Sequence, residues 1–143
     1  MNDPDPSGIP GLEILPVVSW ELSAQRKRIP PDLQRAIGAP TPFLRVSPAI
    51  DEKQRTKHHK YLEMYRRLSD VLDNWTSYAV QRSEPGDRLW RVFAWVRNEE
   101  DVQTLIMTVI GEDTNGSFNL ILMHARKERF LARLRTEGRL ADR

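Results

Sequence analysis

The run Arg55-Thr56-Lys57-His58-His59-Lys60 sets two adjacent histidines inside a basic cluster. Histidine both takes and gives a proton near neutral pH, while lysine and arginine hold anions, so these are the residue types of a small phosphodiester-cleaving site. Metal-independent RNA cleavage needs a base for the 2′-hydroxyl proton, an acid for the leaving oxygen, and cations that stabilise charge on the phosphate. His58 or His59 would be acid or base, with Arg55, Lys57 or Lys60 as the phosphate clamp. The third histidine, His124, ends the last apolar strand-like run and adjoins a second basic stretch opened by Arg126. It supplies the complementary proton transfer if the strand end returns near the helix start, and Arg126 then becomes a further substrate contact. The plainer alternatives are packing roles. His58 would be a half-buried ring between helix and sheet, and His124 a strand-end residue on the face of Phe118, Leu120 and Leu122.

Other chemistries fit less well. Adjacent residues on a helix diverge by about 100°, so His58 and His59 do not readily chelate one ion, and no i,i+4 histidine pair exists; no metal is expected. The carboxylates of Asn98-Glu99-Glu100-Asp101 and Glu112-Asp113 lie in turns and lack the spacing of a calcium loop. There is no Gly-rich phosphate loop, nucleophile elbow or dinucleotide fingerprint, so no cofactor is expected. With no cysteine, the chain has no disulfide framework, thiolate zinc site or cysteine nucleophile.

The net charge of +2 conceals an uneven distribution. Between Lys53 and Arg67 six basic residues face Glu63 alone, and from His124 onward seven face Glu128, Glu137 and Asp142. Two basic segments in an otherwise balanced chain suggest an anionic partner, with RNA the leading candidate; solvated faces of amphipathic helices are the ordinary alternative. The acidic, Pro-rich start Met1-Asn2-Asp3-Pro4-Asp5-Pro6 has no apolar h-region, and no apolar run approaches the roughly 18 residues of a membrane span. A cytoplasmic protein without a membrane partner is expected.

At 143 residues the chain has room for one domain with a substantial core. Nine of its ten prolines fall before residue 49, and each removes a backbone donor and biases its predecessor away from helix. Residues 1–49 therefore read as an irregular arm. Apolar pieces such as Ile14-Leu15, Val17-Val18, Trp20-Leu22 and Phe43-Leu44 could lie along the domain or along a partner protein. One short helix is expected where Pro30-Pro31 leads into Asp32 to Ile37, with Gly38 as its stop.

Residues 50–143 read as a single α+β domain. Tyr61, Leu62, Tyr65, Leu68 and Leu72 recur at helical spacing, so Asp51 to Asp73 reads as the main helix, with His58 on its apolar stripe and His59 at the border. The period then switches to two. Strands are expected over Thr76 to Arg82, Arg88 to Arg97, Val102 to Ile110 and Ser117 to His124, separated by Pro85-Gly86-Asp87, the polar turn at Asn98, and Asn115-Gly116. Such short connections dictate an antiparallel meander. Trp90 and Trp95 differ in strand parity and must face opposite sides. A final helix from Ala125 carries Phe130, Leu131 and Leu134 and stops near Gly138. The expected architecture is a helix packed on a four-stranded antiparallel meander, followed by a C-terminal helix and preceded by the arm.

The run Lys57-His58-His59-Lys60-Tyr61-Leu62-Glu63-Met64-Tyr65-Arg66-Arg67-Leu68-Ser69-Asp70-Val71-Leu72-Asp73-Asn74, followed by a β-meander, resembles the phage-associated Barnase-EndoU-ColicinE5/D-RelE-like nucleases over about residues 51–140. That resemblance implies metal-independent RNase activity, a toxin or phage-borne role, and an active site on the sheet face near the helix start. Lys57 and His58 or His59 match its basic helix motif. The family's polar residues in the last strand correspond to Ser117 and Asn119, which become candidate substrate contacts; by simple alternation they point away from His124. The competing expectation is a non-catalytic interaction module, such as a phage structural, immunity or adaptor protein, whose arm docks on a partner.

Overall fold

The computed structural model describes residues 25–82, 88–113 and 116–143, apart from the side chains of His59 and Arg82. The arm's apolar pieces before residue 25, the Pro85-Gly86-Asp87 turn and Asn115 of the Asn-Gly dipeptide lie outside the described residues. In chain order the elements are β1 (Gln25–Arg28), α1 (Pro31–Ile37), β2 (Phe43–Val46), α2 (Pro48–Thr56), a 3-10 turn (His59–Tyr61), α3 (Leu62–Arg66), α4 (Leu68–Asp73), β3 (Trp75–Arg82), β4 (Arg88–Arg97), β5 (Gln103–Glu112), β6 (Phe118–Ala125), α5 (Glu128–Thr136) and β7 (Ala141–Asp142).

Among the described residues the sheet has seven strands, not four, in the order β1-β2-β6-β5-β4-β3-β7. β3 to β6 pair antiparallel in succession, and the chain's two ends extend this array. On one side β2 joins β6 in parallel through Arg45 and Asn119, and β1 pairs with β2. On the other, Ala141 and Asp142 of β7 pair with Tyr78 and Ser77.

The second half of the expected arm is therefore not irregular, and the boundary near residue 50 does not divide the fold. Its prolines sit where they cost no ladder hydrogen bond. Pro31 opens α1, which stops at Gly38 in the left-handed conformation (φ 73°), and Pro48 opens α2, where the Ser47 hydroxyl accepts from the Ile50 amide at 3.2 Å. Ile29, Leu33, Ile37, Leu44 and Val46 are buried in the core.

The expected single helix over Asp51 to Asp73 is broken twice. α2 ends at Lys57, and a further break falls at Arg67 (φ −104°, ψ 30°), whose amide donates to the Met64 carbonyl at 3.1 Å. The stripe gains no apolar member before Tyr61, so a straight helix would carry a polar face onto the sheet. The breaks let α2 bury Gln54 at one edge while Tyr65, Leu68, Val71 and Leu72 pack over the sheet interior.

Two cores flank the sheet. The four short helices α1 to α4 cover one face, over Trp90, Val92, Ala94, Ile106, Ile110, Leu120 and Met123. On the other face α5 sets Leu131 and Leu134 over Ala79, Phe93, Leu105, Met107 and Val109, with Trp95 at the margin. Burying each such leucine contributes about 1.5–3 kcal/mol. As the parity argument requires, Trp90 and Trp95 serve opposite cores.

β6 departs from simple alternation. Ile110 pairs with Leu120 and Val109 with Leu122, so Ile121 is an extra residue, a β-bulge. Phe118 and Leu120 face the four-helix side, while Leu122 and His124, opposite Val109 and Met107, face the α5 side. His124 is therefore not on the face of Phe118 and Leu120, and it shares a face with Asn119, opposite Gly111. Gly111 packs closely beneath the bulge: a Cβ there would lie 2.9 Å from Cδ1 of Ile121, so that side chain would have to shift.

Candidate functional site

The fold brings the two basic segments together. The His58 and His124 rings lie 6.4 Å apart between centroids with their planes within 15°, and the Tyr61 ring lies 6.4 Å from His124 on a tilted plane. His58 sits between the end of α2 and the 3-10 turn, where its carbonyl accepts from the Tyr61 amide at 2.9 Å. It is half-buried rather than sealed under Tyr61 and Tyr65.

Gln54 sets the position of this contact. Beyond Asn119, β6 runs past the end of β2 and would leave backbone groups unpaired. The Gln54 carboxamide meets them, its Nε2 donating to the Met123 carbonyl at 3.2 Å and its Oε1 accepting from the Met123 amide at 3.0 Å. The side chain is 1% exposed, so both bonds are shielded from water. The last turn of α2 is thus locked to the residue before His124.

The Nδ1 atom of His124 lies 2.9 Å from the Ala125 carbonyl oxygen. A carbonyl only accepts, so Nδ1 carries the proton in the neutral ring, and Nε2 is left with a lone pair. That is the tautomer of a general base. His58 places a second imidazole beside it.

The remaining candidates divide. Lys57 and Lys60 are exposed beside the histidines, with the Lys60 ammonium 5.4 Å from the Tyr61 ring centroid. Arg126 lies two residues beyond His124 on the same face, its amide extending the ladder to the Leu105 carbonyl at 3.0 Å. The backbone of His59 belongs to the 3-10 turn, and its side chain lies outside the described residues.

Arg55 is not a free phosphate clamp. Its Nε donates to Asp51 at 2.9 Å, and Asp51 also accepts from the Tyr65 hydroxyl and from Gln25 Nε2. Partial burial pushes the Asp51 carboxyl up, but the bonds from Tyr65 and Arg55 and the Arg55 charge outweigh it and hold it below the ordinary range. Burial and the adjoining carboxylate push the Tyr65 phenol up. This network ties α2 to β1 and α3 and consumes the Arg55 charge.

Ser117 and Asn119 are not brought to the histidines. They lie at the opposite end of β6, where the Ser117 backbone amide donates to Asp113 Oδ1 at 3.1 Å and the Asn119 side-chain Nδ2 donates to Asp113 Oδ2 at 3.3 Å. His124 lies five positions along the strand from Asn119, roughly 15 Å. Together with Arg26, Arg45 and Phe43, Ser117 lines a separate cleft of about 340 Å³.

Among the described residues, no group of three His, Cys, Asp or Glu side chains could hold a metal ion. No helix of the described residues is long and apolar enough to cross a membrane. In comparisons with known proteins, no family model matches the chain, and neither a curated protein nor a solved structure does. Sequence reasoning passed over Gln54 and Tyr61 as site-building residues. Gln54 precedes the apolar stripe, among charged neighbours, and reads as solvated, while Tyr61 reads as core.

Proposed function

We propose that the chain is a metal-independent endoribonuclease whose acid and base are His58 and His124. His124 Nε2 takes the proton of an RNA 2′-hydroxyl as that oxygen attacks phosphorus. His58 gives a proton to the departing 5′-oxygen, leaving a 2′,3′-cyclic phosphate on one fragment and a 5′-hydroxyl on the other. Lys57 and Lys60 face the non-bridging oxygens and stabilise their charge. Tyr61 packs beside His124 and limits the ring's motion.

The observation that carries this reading is the His58–His124 pair, with the His124 tautomer set by the Ala125 carbonyl. Two imidazoles from segments 66 positions apart in the chain meet at the rim of the sheet instead of within either core. A packing role alone does not call for parallel rings among lysines. Toxicity on expression and a phage-borne origin belong to the same reading, since unregulated RNA cleavage arrests growth.

The test uses one mixed-sequence oligonucleotide made as RNA and as DNA, incubated with the folded protein in EDTA. RNA cut to 2′,3′-cyclic phosphate ends beside intact DNA is the expected result. Intact RNA, or DNA cut as fast as RNA, overturns the proposal, because the chemistry requires the 2′-hydroxyl.

A further inference from the structure

On the α5 face of the sheet, arginines gather around one aromatic ring. The Arg126 guanidinium lies 3.8 Å from the Phe130 ring centroid and that of Arg133 5.3 Å from it, and Phe130 itself packs on Phe93. Arg126, Lys127, Arg129, Phe130 and Arg133 line a cleft of about 580 Å³. Across Phe130 and Arg133 it adjoins a second cleft of about 350 Å³ containing Arg91 and Arg139.

Charge here is poorly compensated. Among the described residues Arg126, Arg129 and Arg133 have no carboxylate partner, and Arg91 is held only by the Gln81 amide oxygen. The one carboxylate lining either cleft, Glu137, is occupied by Arg139 at 3.2 Å. Burial, together with the charges of Arg139 and Arg126, pushes Arg91 down from its ordinary value. Like charges held together in a half-buried groove raise the energy of the free protein, and an anionic ligand relieves it.

We infer that this groove is a binding track for single-stranded RNA, leading the strand across Arg126, Phe130, Arg133 and Arg91 to the histidine pair. The inference rests on the nuclease reading for the direction of the strand, not for its binding. His124 and Arg126 are two residues apart on one face of the sheet, roughly 7 Å, about the spacing of one nucleotide step to the next contact. Arg126 is fixed from below by Phe130, so its outer plane is a platform for one unstacked base and its N–H edge a fork for phosphate. Arg91 and Arg133 continue the row of phosphate contacts. A duplex keeps its bases stacked on each other and has none to offer this platform. The track replaces the cleft near Ser117 as the route of the substrate.

The experiment is fluorescence anisotropy of the full chain with a labelled 2′-O-methyl oligoribonucleotide of mixed sequence, which cannot be cleaved by 2′-hydroxyl attack. Wild type binds, with log affinity falling linearly against log salt. Arg126→Ala with Arg133→Ala weakens binding at least about tenfold and flattens the salt slope by about 1.4, the loss of two phosphate contacts on a single strand. Arg129→Glu, at an exposed position, does the same without touching the core. Arg66→Ala, exposed on α3, leaves binding unchanged. Groove variants that bind as wild type, tighter binding to duplex RNA, or binding to anionic phosphatidylserine vesicles but not to the oligonucleotide would each overturn the inference. Groove variants that lose binding in a protein that cleaves nothing leave the track standing and remove the nuclease. Undiminished cleavage at low RNA concentration by the same variants removes the track and leaves the nuclease.

Discussion

The Gln54 side chain stands in for a strand at Met123, exchanging both a donated and an accepted hydrogen bond with its backbone. A carboxamide has the donor and acceptor of a peptide group, so it closes a sheet edge that no described strand covers. The substitution Gln54→Leu keeps the volume and leaves both Met123 groups buried and unpaired. Each such group costs about 1–3 kcal/mol, so a loss of about 2–6 kcal/mol in urea unfolding is expected. Gln54→Glu presents two acceptors and leaves the Met123 carbonyl without a donor. It is expected to be less stable than wild type at pH 7 and to recover on acidification, as the protonated acid regains a donor. Equal stability for all three proteins would show that the edge is paired some other way.

Asp51 gives the fold an acid-sensitive joint. Its carboxyl is held below the ordinary range, so the stability it contributes is complete above its unfolded value of about 4 and is lost as pH falls through the folded value. Asp51→Asn removes the charge that Tyr65 and Arg55 bind. The variant is expected to be about 1 kcal/mol less stable at pH 7 and to lose less stability than wild type between pH 5 and pH 2, as followed by thermal unfolding. A parallel acid decline in both proteins would assign it to other carboxylates.

Arg143 reaches back to Asp32 at 2.6 Å and to the carbonyls of Asp73 and Trp75, each at 2.9 Å. Asp32 also accepts from the buried Trp75 indole at 3.2 Å and from the Leu33 amide at 2.9 Å. Loss of Asp32 therefore strands more than loss of Arg143. In a double-mutant cycle Asp32→Ala is expected to cost about 1–3 kcal/mol and Arg143→Ala under about 1 kcal/mol, with coupling of at most about 1 kcal/mol because the ion pair is partly exposed. A larger cost for Arg143→Ala would invert this ranking.

Much of this architecture was legible where local signals and tertiary packing agree. Pro31, Asp32 and Gly38 announce α1, the two tryptophans of β4 divide between the two cores, and the apolar runs from Trp75 to Ala125 give four strands close to their expected bounds. Elsewhere the deciding interactions are non-local. β1 reads Gln25-Arg26-Lys27-Arg28, with no apolar alternation, and exists because β2 pairs with it. The bulge at Ile121 is hidden because Leu120, Ile121, Leu122 and Met123 are all apolar, so neither face is marked by a polar residue and the parity of His124 cannot be counted through them. The breaks in the main helix depend on Gln54 finding Met123, 69 positions away. For the candidate site, residue types pointed to His58 and His124, but their meeting, the engagement of Arg55 by Asp51 and the distance of Ser117 and Asn119 follow from topology alone.

Gly111 tests whether that topology is tight. A Cβ there meets the end of the Ile121 side chain, which can swing aside for alanine but not readily for a branched residue. Gly111→Ala is expected to cost about 1 kcal/mol and Gly111→Val about 2–3 kcal/mol by thermal or urea unfolding. Costs that do not grow with side-chain size would mean the bulge repacks freely.

The central claim is that His58 and His124 act as one acid–base pair, and single-turnover cleavage of RNA in EDTA by the wild type, His58→Ala, His124→Ala and the double variant tests it most directly. Both single variants should unfold like the wild type and lose about 10²–10⁴-fold in rate, with the double variant little worse than either, since a pair acting as a unit is non-additive. Cleavage at the wild-type rate by either folded single variant would contradict the account.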